Sequence, residues 1–412
     1  MKSVFFKISC IFFLTILHFN LVSQVKIDVE IDDINDTILY LMKYKSDKTQ
    51  SIIDYSSTSY NKKTFKNPQK YDEGIYVLTD SKQNPLFEIL IGKDQEFSLY
   101  INDMMDLNTY KIKGSKETSD YFKVYSKTIH NKLYIKALES EIEYFPDNAR
   151  KIDSIKRELY DYQESMLSKD KFSFLNTYIK FIEDSETDRY FENLPLCDIR
   201  ILNSRLLKNK LDDYFDNHIA NQNDGVICQN IDNLISKTND CHKVRDHILW
   251  YLYSRYFNND LIYIHLVDNY FSQLEINNLT QNIRNEIIKR ADVLRKITIG
   301  NVSPTFSYTD DDGNKIDLSE INAHNIVLFF YKPDCQKCIR DKRILGQIKN
   351  TQKNLTILYI NISEDNYKNV SQDIINQYDI TTTPTIYLLN KNKEIIAKDI
   401  KTEEIEFHII KK

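Results

Sequence analysis

Apolar residues change their spacing twice along this chain. From Val25 to about Lys113 they fall in short runs rich in β-branched and aromatic side chains: Thr37-Ile-Leu-Tyr-Leu-Met42, Gly74-Ile-Tyr-Val-Leu78, Leu86-Phe-Glu-Ile-Leu-Ile91 and Glu96-Phe-Ser-Leu-Tyr-Ile101. Polar, turn-forming stretches separate these runs, which predicts a small β-rich domain, a sheet or sandwich. Near Gly114-Ser115 the pattern becomes helical and stays so to about Lys296. Asp120-Tyr-Phe-Lys-Val-Tyr125 opens the first helix. Leu249, Leu252, Tyr256 and Phe257 recur at helical spacing, as do Leu261, Ile264, His265 and Val267. Asp240 stands ready to cap a helix starting at Cys241. Several antiparallel helices without an internal repeat are expected.

From Ile297 strands and helices alternate. Asp311-Asp312-Gly313 is a turn signal between Thr305-Phe-Ser-Tyr308 and Lys315-Ile-Asp317. A buried strand, Ile326–Tyr331, leads into a helix ending near Asn350. Strand Leu355–Ile360 and a helix over 367–378 follow. Strand Thr385–Leu389, an Asn390-Lys-Asn392 turn, strand Glu394–Ala397 and a helix from about Glu403 close the chain. The first crossover is expected to be a parallel, right-handed βαβ unit. The fold class is therefore multi-domain α+β, divided as 24–113 β-rich, 114–296 α-helical and 297–412 α/β.

Residues 1–23 read as a secretory leader. Lys2 and Lys7 form a positive start, Ile8 to Leu17 is apolar and Leu21-Val22-Ser23 offers a cleavage site. The apolar stretch falls short of the ~20 residues a membrane span needs, so cleavage is expected rather than anchoring. Cys10 belongs to the leader. No other segment is apolar enough to cross a bilayer. The mature chain is expected to be soluble, in an oxidising compartment outside the cytoplasm, the periplasm or cell envelope, without stable membrane insertion. The net charge of −5, or −7 without the leader, gives no reason to expect a nucleic-acid partner, and no basic cluster with interleaved aromatics occurs.

The chemistry lies in Cys335-Gln336-Lys337-Cys338, directly after the strand Ile326–Tyr331 and at the start of a helix. One helical turn separates the two cysteines, so their sulfurs can meet with little backbone movement. If the loop ends at Cys335, its sulfur faces the free N–H groups of the helix N-terminus, and these favour the thiolate. Cys338 lies a turn deeper. Cys335 is then the attacking thiol and Cys338 the resolving one. Lys332 and Lys337 add positive potential, while Asp334 opposes it. A fixed disulfide or half a zinc site is the competing reading. Zinc needs two more ligands at suitable spacing, but there is no second CxxC, and His324 and His408 do not form a pair. No cofactor and no metal are called for. Thr383-Pro384 follows about fifty residues later. An X-Pro bond can be cis at modest cost, and a cis bond here is favoured over an ordinary edge-strand proline.

Taken together, Gly300-Asn-Val-Ser-Pro-Thr-Phe306, Asp312-Gly313, the segment Val327–Cys338 and Tyr378-Asp-Ile-Thr-Thr-Thr-Pro-Thr-Ile-Tyr387 resemble the TlpA/ResA-like branch of the thioredoxin superfamily. More narrowly, they look like its exported multi-domain members in Bacteroidetes. The resemblance covers roughly the last 115 residues. Weaker likenesses run through 193–202, 231–270 and 112–117, which resemble the helical and N-terminal domains of those proteins. The resemblance implies a thioredoxin-like domain with Cys335 as nucleophile, Cys338 as resolving thiol, and Pro384 as a cis-proline that leaves the Thr383 backbone free to pair with an extended substrate. It further implies disulfide- or dithiol-bearing envelope proteins as partners, and recycling by a membrane thiol-electron carrier of the DsbD/CcdA kind. There are departures from the pattern. Asp334 replaces an aromatic residue before the first Cys, and Phe329 stands where thioredoxin has a buried acid. Asp341 replaces the Glu three residues after the second Cys, either as a proton relay or as a solvated helix acid. Arg343 replaces a helix-kinking proline, so a straighter helix is expected. Peroxiredoxins share the fold, but they need Thr four residues before the reactive Cys and Pro four before that. Those positions are Tyr331 and Val327 here.

Of the remaining cysteines, Cys228 and Cys241 are expected near the starts of successive antiparallel helices, at opposite ends of the hairpin and ~12 Å apart, out of bridging reach. Cys197 could pair with either, and free buried thiols are the default expectation. His242 and His247 make a poor metal pair and read as surface or packing residues. The leading reading is an exported thiol–disulfide oxidoreductase acting as a reductant or isomerase. The alternative is a non-catalytic envelope binding or scaffold protein with a vestigial thioredoxin-like domain.

Overall fold

The computed structural model describes residues 24–410 apart from 33, 35, 46–48, 58–60, 184–188 and 364–371. The predicted leader lies outside the described residues, as does the 367–371 part of the expected helix over 367–378. The chain divides into two compact units, Met1–Asn221 and Gln222–Lys412.

The first unit holds β1 (Val25–Ile31), β2 (Ile38–Lys45), β3 (Thr49–Ser57), β4 (Lys62–Asn67), β5 (Gly74–Thr79), β6 (Pro85–Ile91), β7 (Glu96–Ile101) and β8 (Lys111–Lys113). They form two four-stranded sheets, ordered β4-β1-β7-β8 and β3-β2-β5-β6. In β1 the residues Val25, Ile27, Val29 and Ile31 are buried while Lys26 and Glu30 face solvent, the period-2 signature of a strand with one dry face. β5 pairs with β2 and β6 and is buried at every residue. The polar strands β3 and β4 were not expected from the sequence, and both are edge strands, where charged and hydroxyl side chains suppress unwanted pairing.

Gly114 takes φ +103°, and a Cβ there would lie 2.6 Å from the Glu96 carbonyl oxygen, so the turn out of β8 requires glycine. Ser115 then caps α1 (Lys116–Ser140) by accepting the Thr118 N–H. α2 (Asn148–Ser165), α3 (Phe174–Ile182) and α4 (Leu206–Asp213) follow. α1 is built onto the sheets. The Thr118 hydroxyl donates to the Leu90 carbonyl at 2.9 Å, and Phe122 packs on the Phe87 and Tyr110 rings. The unit boundary therefore falls inside the stretch 114–296 that was expected to form one helical domain.

The second unit begins with α5 (Asp224–Ser236), α6 (His242–Arg255), α7 (Asp260–Leu266) and α8 (Gln281–Lys296). Leu249 and Leu252 are buried, as their spacing predicts. Two expectations are corrected. Cys241 itself is the N-cap residue of α6 and no side chain bonds the cap, so Asp240 does not cap that helix. In α7 the buried face is Ile262, Tyr263 and Leu266, with Leu261 56% exposed, Ile264 and His265 half-buried, and Val267 just after it buried as expected. The expected face is displaced because Tyr263 points toward α8, its hydroxyl donating to the Ile287 carbonyl at 3.3 Å.

β9 (Ser307–Thr309) and β10 (Lys315–Asp317) form a hairpin whose turn includes Gly313 at φ +85°. Next come β11 (Asn325–Tyr331), α9 (Gln336–Thr351), β12 (Leu355–Asn361), α10 (Gln372–Gln377), β13 (Thr385–Asn390), β14 (Ile395–Lys398) and α11 (Ile405–Ile410). Their sheet is ordered β12-β11-β13-β14. β11 runs parallel to β12 and antiparallel to β13. β11 is covered on both faces, which is why it is an unbroken apolar run. Leu345 and Ile348 of α9 pack with Val327, Phe329, Ile357 and Leu388, while Phe330 meets Tyr378 and Tyr387. Leu345 is fully buried. Leu345→Ala is expected to cost roughly 2–5 kcal/mol in urea unfolding of the full chain. A loss below ~1 kcal/mol would mean that α9 is not packed as described.

Candidate active site

The site is assembled where β11 ends. Tyr331 is the last buried strand residue, and the Cys335 N–H bonds the Lys332 carbonyl at 3.2 Å to close a tight turn. The Ile339 N–H reaches the Cys335 carbonyl at 3.1 Å and starts α9, so Cys335 is the N-cap residue. Its Sγ accepts the Cys338 N–H at 3.2 Å. Sulfur thus occupies the place a hydroxyl or carboxylate fills at other helix starts, against the positive end of the helix dipole.

Cys335 and Cys338 are joined as a disulfide with Cα atoms 5.2 Å apart. Cys335 is partly exposed, while Cys338 is 1% exposed and lies in the core beneath α9. Opposite them the Thr383–Pro384 peptide is cis, and the Thr383 carbonyl oxygen lies 3.7 Å from the Cys335 Sγ. The bonded sulfur carries no proton, so this is a contact in the oxidised form. In the reduced form the thiol can donate there. The structure therefore brings all four singled-out residues, Cys335, Cys338, Thr383 and Pro384, into one place.

Other singled-out positions fall as follows. Phe329 is fully buried and stacks near Tyr331 at 5.7 Å between ring centroids, so an aromatic cluster fills the position of thioredoxin's acid. Asp341 is 2% exposed, not a solvated acid. It is buried because it sits one turn past Cys338 on the inner side of α9, and it takes the Arg340 guanidinium at 2.8–2.9 Å. α9 runs unbroken through Arg343. Lys332 is partly exposed, and Asp334 and Lys337 are exposed.

A cleft of about 370 Å³ opens beside Cys338, lined by Tyr331, Lys332, Pro333, Ile339, Lys342 and Arg343. The Tyr331 hydroxyl donates to Asp311, and burial with that carboxylate raises its pKa. Lys342 Nζ lies 4.6 Å from the Tyr331 ring centroid and 5.0 Å from that of Tyr359, a cation–π clamp. Lys342 went unremarked in the sequence, although its i+4 spacing from Cys338 already placed both on one helix face.

A model of the AhpC/TSA family matches residues 299–398. The C-terminal domain is a thioredoxin-like domain of the AhpC/TSA type. The domain is similar to the thiol-disulfide oxidoreductase ResA of Geobacillus kaustophilus, 24% identical over 134 residues that cover 27% of this chain and 77% of that one. It is likewise similar to ResA of Bacillus anthracis, 24% identical over 123 residues covering 26% and 71%. Among solved structures, a thioredoxin-like protein from Bacteroides caccae is 23% identical and covers 57% of this chain and 94% of its own, with a TM-score of 0.45. The C-terminal domain of a putative thiol-disulfide oxidoreductase from Bacteroides thetaiotaomicron is 22% identical, covers 28% and 96%, and has a TM-score of 0.25. The thioredoxin-like domain is thus similar in sequence to domains of proteins named thiol–disulfide oxidoreductases. The positions that a peroxidase fills with Thr and Pro carry the buried side chains of Tyr331 and Val327.

Outside the thioredoxin-like domain, neither Cys197 nor Cys241 is a free thiol, where the sequence left Cys197 either paired or free. Cys228, within α5, is a free thiol. Burial, with Asp232 and Asp224 adding, pushes its pKa up to about 11. At pH 8 two pKa units correspond to roughly a hundredfold less thiolate. Native Cys228 should therefore alkylate with iodoacetamide roughly 100-fold more slowly than in urea, and the rate should climb with pH toward 11. Peptide mapping by mass spectrometry reads this, and equal rates at pH 8 would contradict it.

Proposed function

We propose that this chain is an exported thiol–disulfide oxidoreductase that reduces or isomerises disulfides in cell-envelope proteins. One observation carries the reading: the Cys335 sulfur caps α9, is bonded to a buried partner one turn on, and faces the Thr383 carbonyl beside a cis-proline. In the reduced form Cys335 attacks one sulfur of a substrate disulfide. A Cys335–substrate bond forms, the substrate S–S bond breaks, and the leaving thiolate takes a proton from water. Cys338, deprotonated, then attacks the Cys335 sulfur. The intramolecular disulfide forms and the second substrate thiolate leaves. Two electrons and two protons pass to the substrate, and the oxidised pair seen in the structure is the product state. A membrane thiol-electron carrier restores the dithiol. The leader-like pattern of residues 1–23 supports export, and no helix among the described residues is long and apolar enough to cross a membrane.

Insulin reduction driven by dithiothreitol tests the reading. Wild type should accelerate precipitation, and Cys335→Ser should fall to the rate of dithiothreitol alone. Equal rates would instead favour a scaffold whose redox domain is vestigial. Cys338→Ala, lacking the resolving thiol, should accumulate mixed disulfides through Cys335, separable on non-reducing gels.

A further inference from the structure

Among the contacts that the helices ahead of the thioredoxin-like domain make with its active-site loop, one is an ion pair from Arg290. Arg290 on α8 is mostly buried, at 13% side-chain exposure, against two rings set at right angles to each other. Its guanidinium carbon lies 3.7 Å from the Phe257 centroid and 4.4 Å from that of Tyr263. It donates to the Phe257 carbonyl at 2.8 Å and forks onto the Asp379 carboxylate, with Nε at 2.9 and 3.1 Å and Nη2 at 2.7 Å. A planar fork packed against rings fixes the carboxylate in direction as well as distance.

Asp379 turns the chain from α10 into the loop. Its φ is +47°, a conformation that L side chains other than Asn and Asp seldom adopt, and it lies four residues before Thr383. Tyr378 on one side is anchored, its carbonyl accepting the Tyr387 hydroxyl at 2.7 Å. On the other side the Ile380 N–H bonds the Ile375 carbonyl at 3.0 Å. The chain then runs through Thr383 and Pro384 into β13. The far side of the sheet is tied in the same way, because Lys398 at the end of β14 pairs with Asp260 at the start of α7, both largely buried. The two ties hold the segments that bracket the loop and β13.

We propose that Arg290 is a positioning residue for disulfide exchange. By holding Asp379 it sets the loop whose Thr383 carbonyl faces the Cys335 sulfur, and so the edge against which an extended substrate peptide lies. This rests on the redox reading above. Arg290 touches neither sulfur, so it acts on how a peptide is held and not on the thiols.

The test compares two substrates in the full chain: a fluorescent peptide disulfide, which needs the Thr383 edge, and 2-hydroxyethyl disulfide, which is neutral and too small to use it. The variants are Arg290→Met, Arg290→Lys, which keeps charge but loses the fork, and Asp379→Asn. Arg290→Met should raise KM for the peptide roughly tenfold or more and leave the rate on the small disulfide within about twofold. Arg290→Lys should fall between, Asp379→Asn should resemble Arg290→Met, and the double variant should add little to either. A parallel loss on both substrates would overturn the proposal, as would unchanged peptide KM in every variant. If Arg290→Met does not fold, Arg290→Lys and Asp379→Asn decide by the same comparison. Wild type inert toward both disulfides would sink the redox reading and this proposal with it. Wild type active with no KM split would sink only this one.

Discussion

The hydrogen bond from the Cys338 N–H to the Cys335 sulfur is the contact on which the rest of the site depends. It makes a sulfur the cap of α9. The helices α1, α5, α7 and α8 are capped by oxygen, from Ser115, Asn223, Asn259 and Thr280. These are the residue types that serve a helix start best, worth ~0.5–2 kcal/mol over alanine. A thiol accepts more weakly, so cysteine at this place is not explained by helix stability. What it provides is a sulfur placed where the unsatisfied N–H groups point, a position that favours the thiolate over the thiol once the pair is reduced. The same turn carries the partner sulfur down into the core, so one sulfur meets solvent and the other does not. Burial and exposure thus divide the roles of two chemically identical side chains.

Position matters as much as charge, and it is set from outside the CxxC turn. β11 is held on both sides by β12 and β13 and covered on both faces, so the end of the strand is a rigid platform. The facing loop is less regular. It lacks ladder hydrogen bonds between Asp379 and Thr385 and must be fixed by side chains. Tyr387, Arg290 and Thr385 do this, bonding the Tyr378 carbonyl, the Asp379 carboxylate and the Thr382 carbonyl. The abundance of tyrosine in the chain acquires a local meaning here. A ring fills the core while its hydroxyl reaches a backbone carbonyl that would otherwise lose its partner.

The C-terminal domain was legible because its signals are local. Ile326–Tyr331, the CxxC pair and Thr383-Pro384 each announce themselves within a few residues, and their order is the topology. The cis bond, the N-cap place of Cys335 and the depth of Cys338 all follow from neighbours in sequence. Lys342 was equally readable by helical spacing and was passed over. Arg290 and Asp379 were not readable, since 89 residues separate them and nothing in either segment points to the other. The polar edge strands β3 and β4 carried little apolar pattern because charged and hydroxyl side chains occupy most of their positions, down to the Thr64 N–H bonding the Ser56 hydroxyl between them. The face of α7 was misjudged for another reason. In a helix of seven residues a shift of one position changes which apolar side chains are inward, and only the contact with α8 decides.

Asp341 shows how packing assigns a role that sequence leaves open. Its carboxylate is 3% exposed, while its partner Arg340 is 60% exposed. An ion pair on the surface contributes little, ~0–1 kcal/mol, and could open freely. Here only the guanidinium is at the surface. Opening the pair would strand a buried carboxylate, and an unpaired buried charge costs ~3–5 kcal/mol. The carboxylate is thus held on the inner side of α9 by a guanidinium that itself lies at the surface. Phe329 removes the other acid that the fold could have offered from the strand side. The cleft lined by Tyr331, Lys332, Ile339, Lys342 and Arg343 borders the same turn of α9, because Cys338 lines it too.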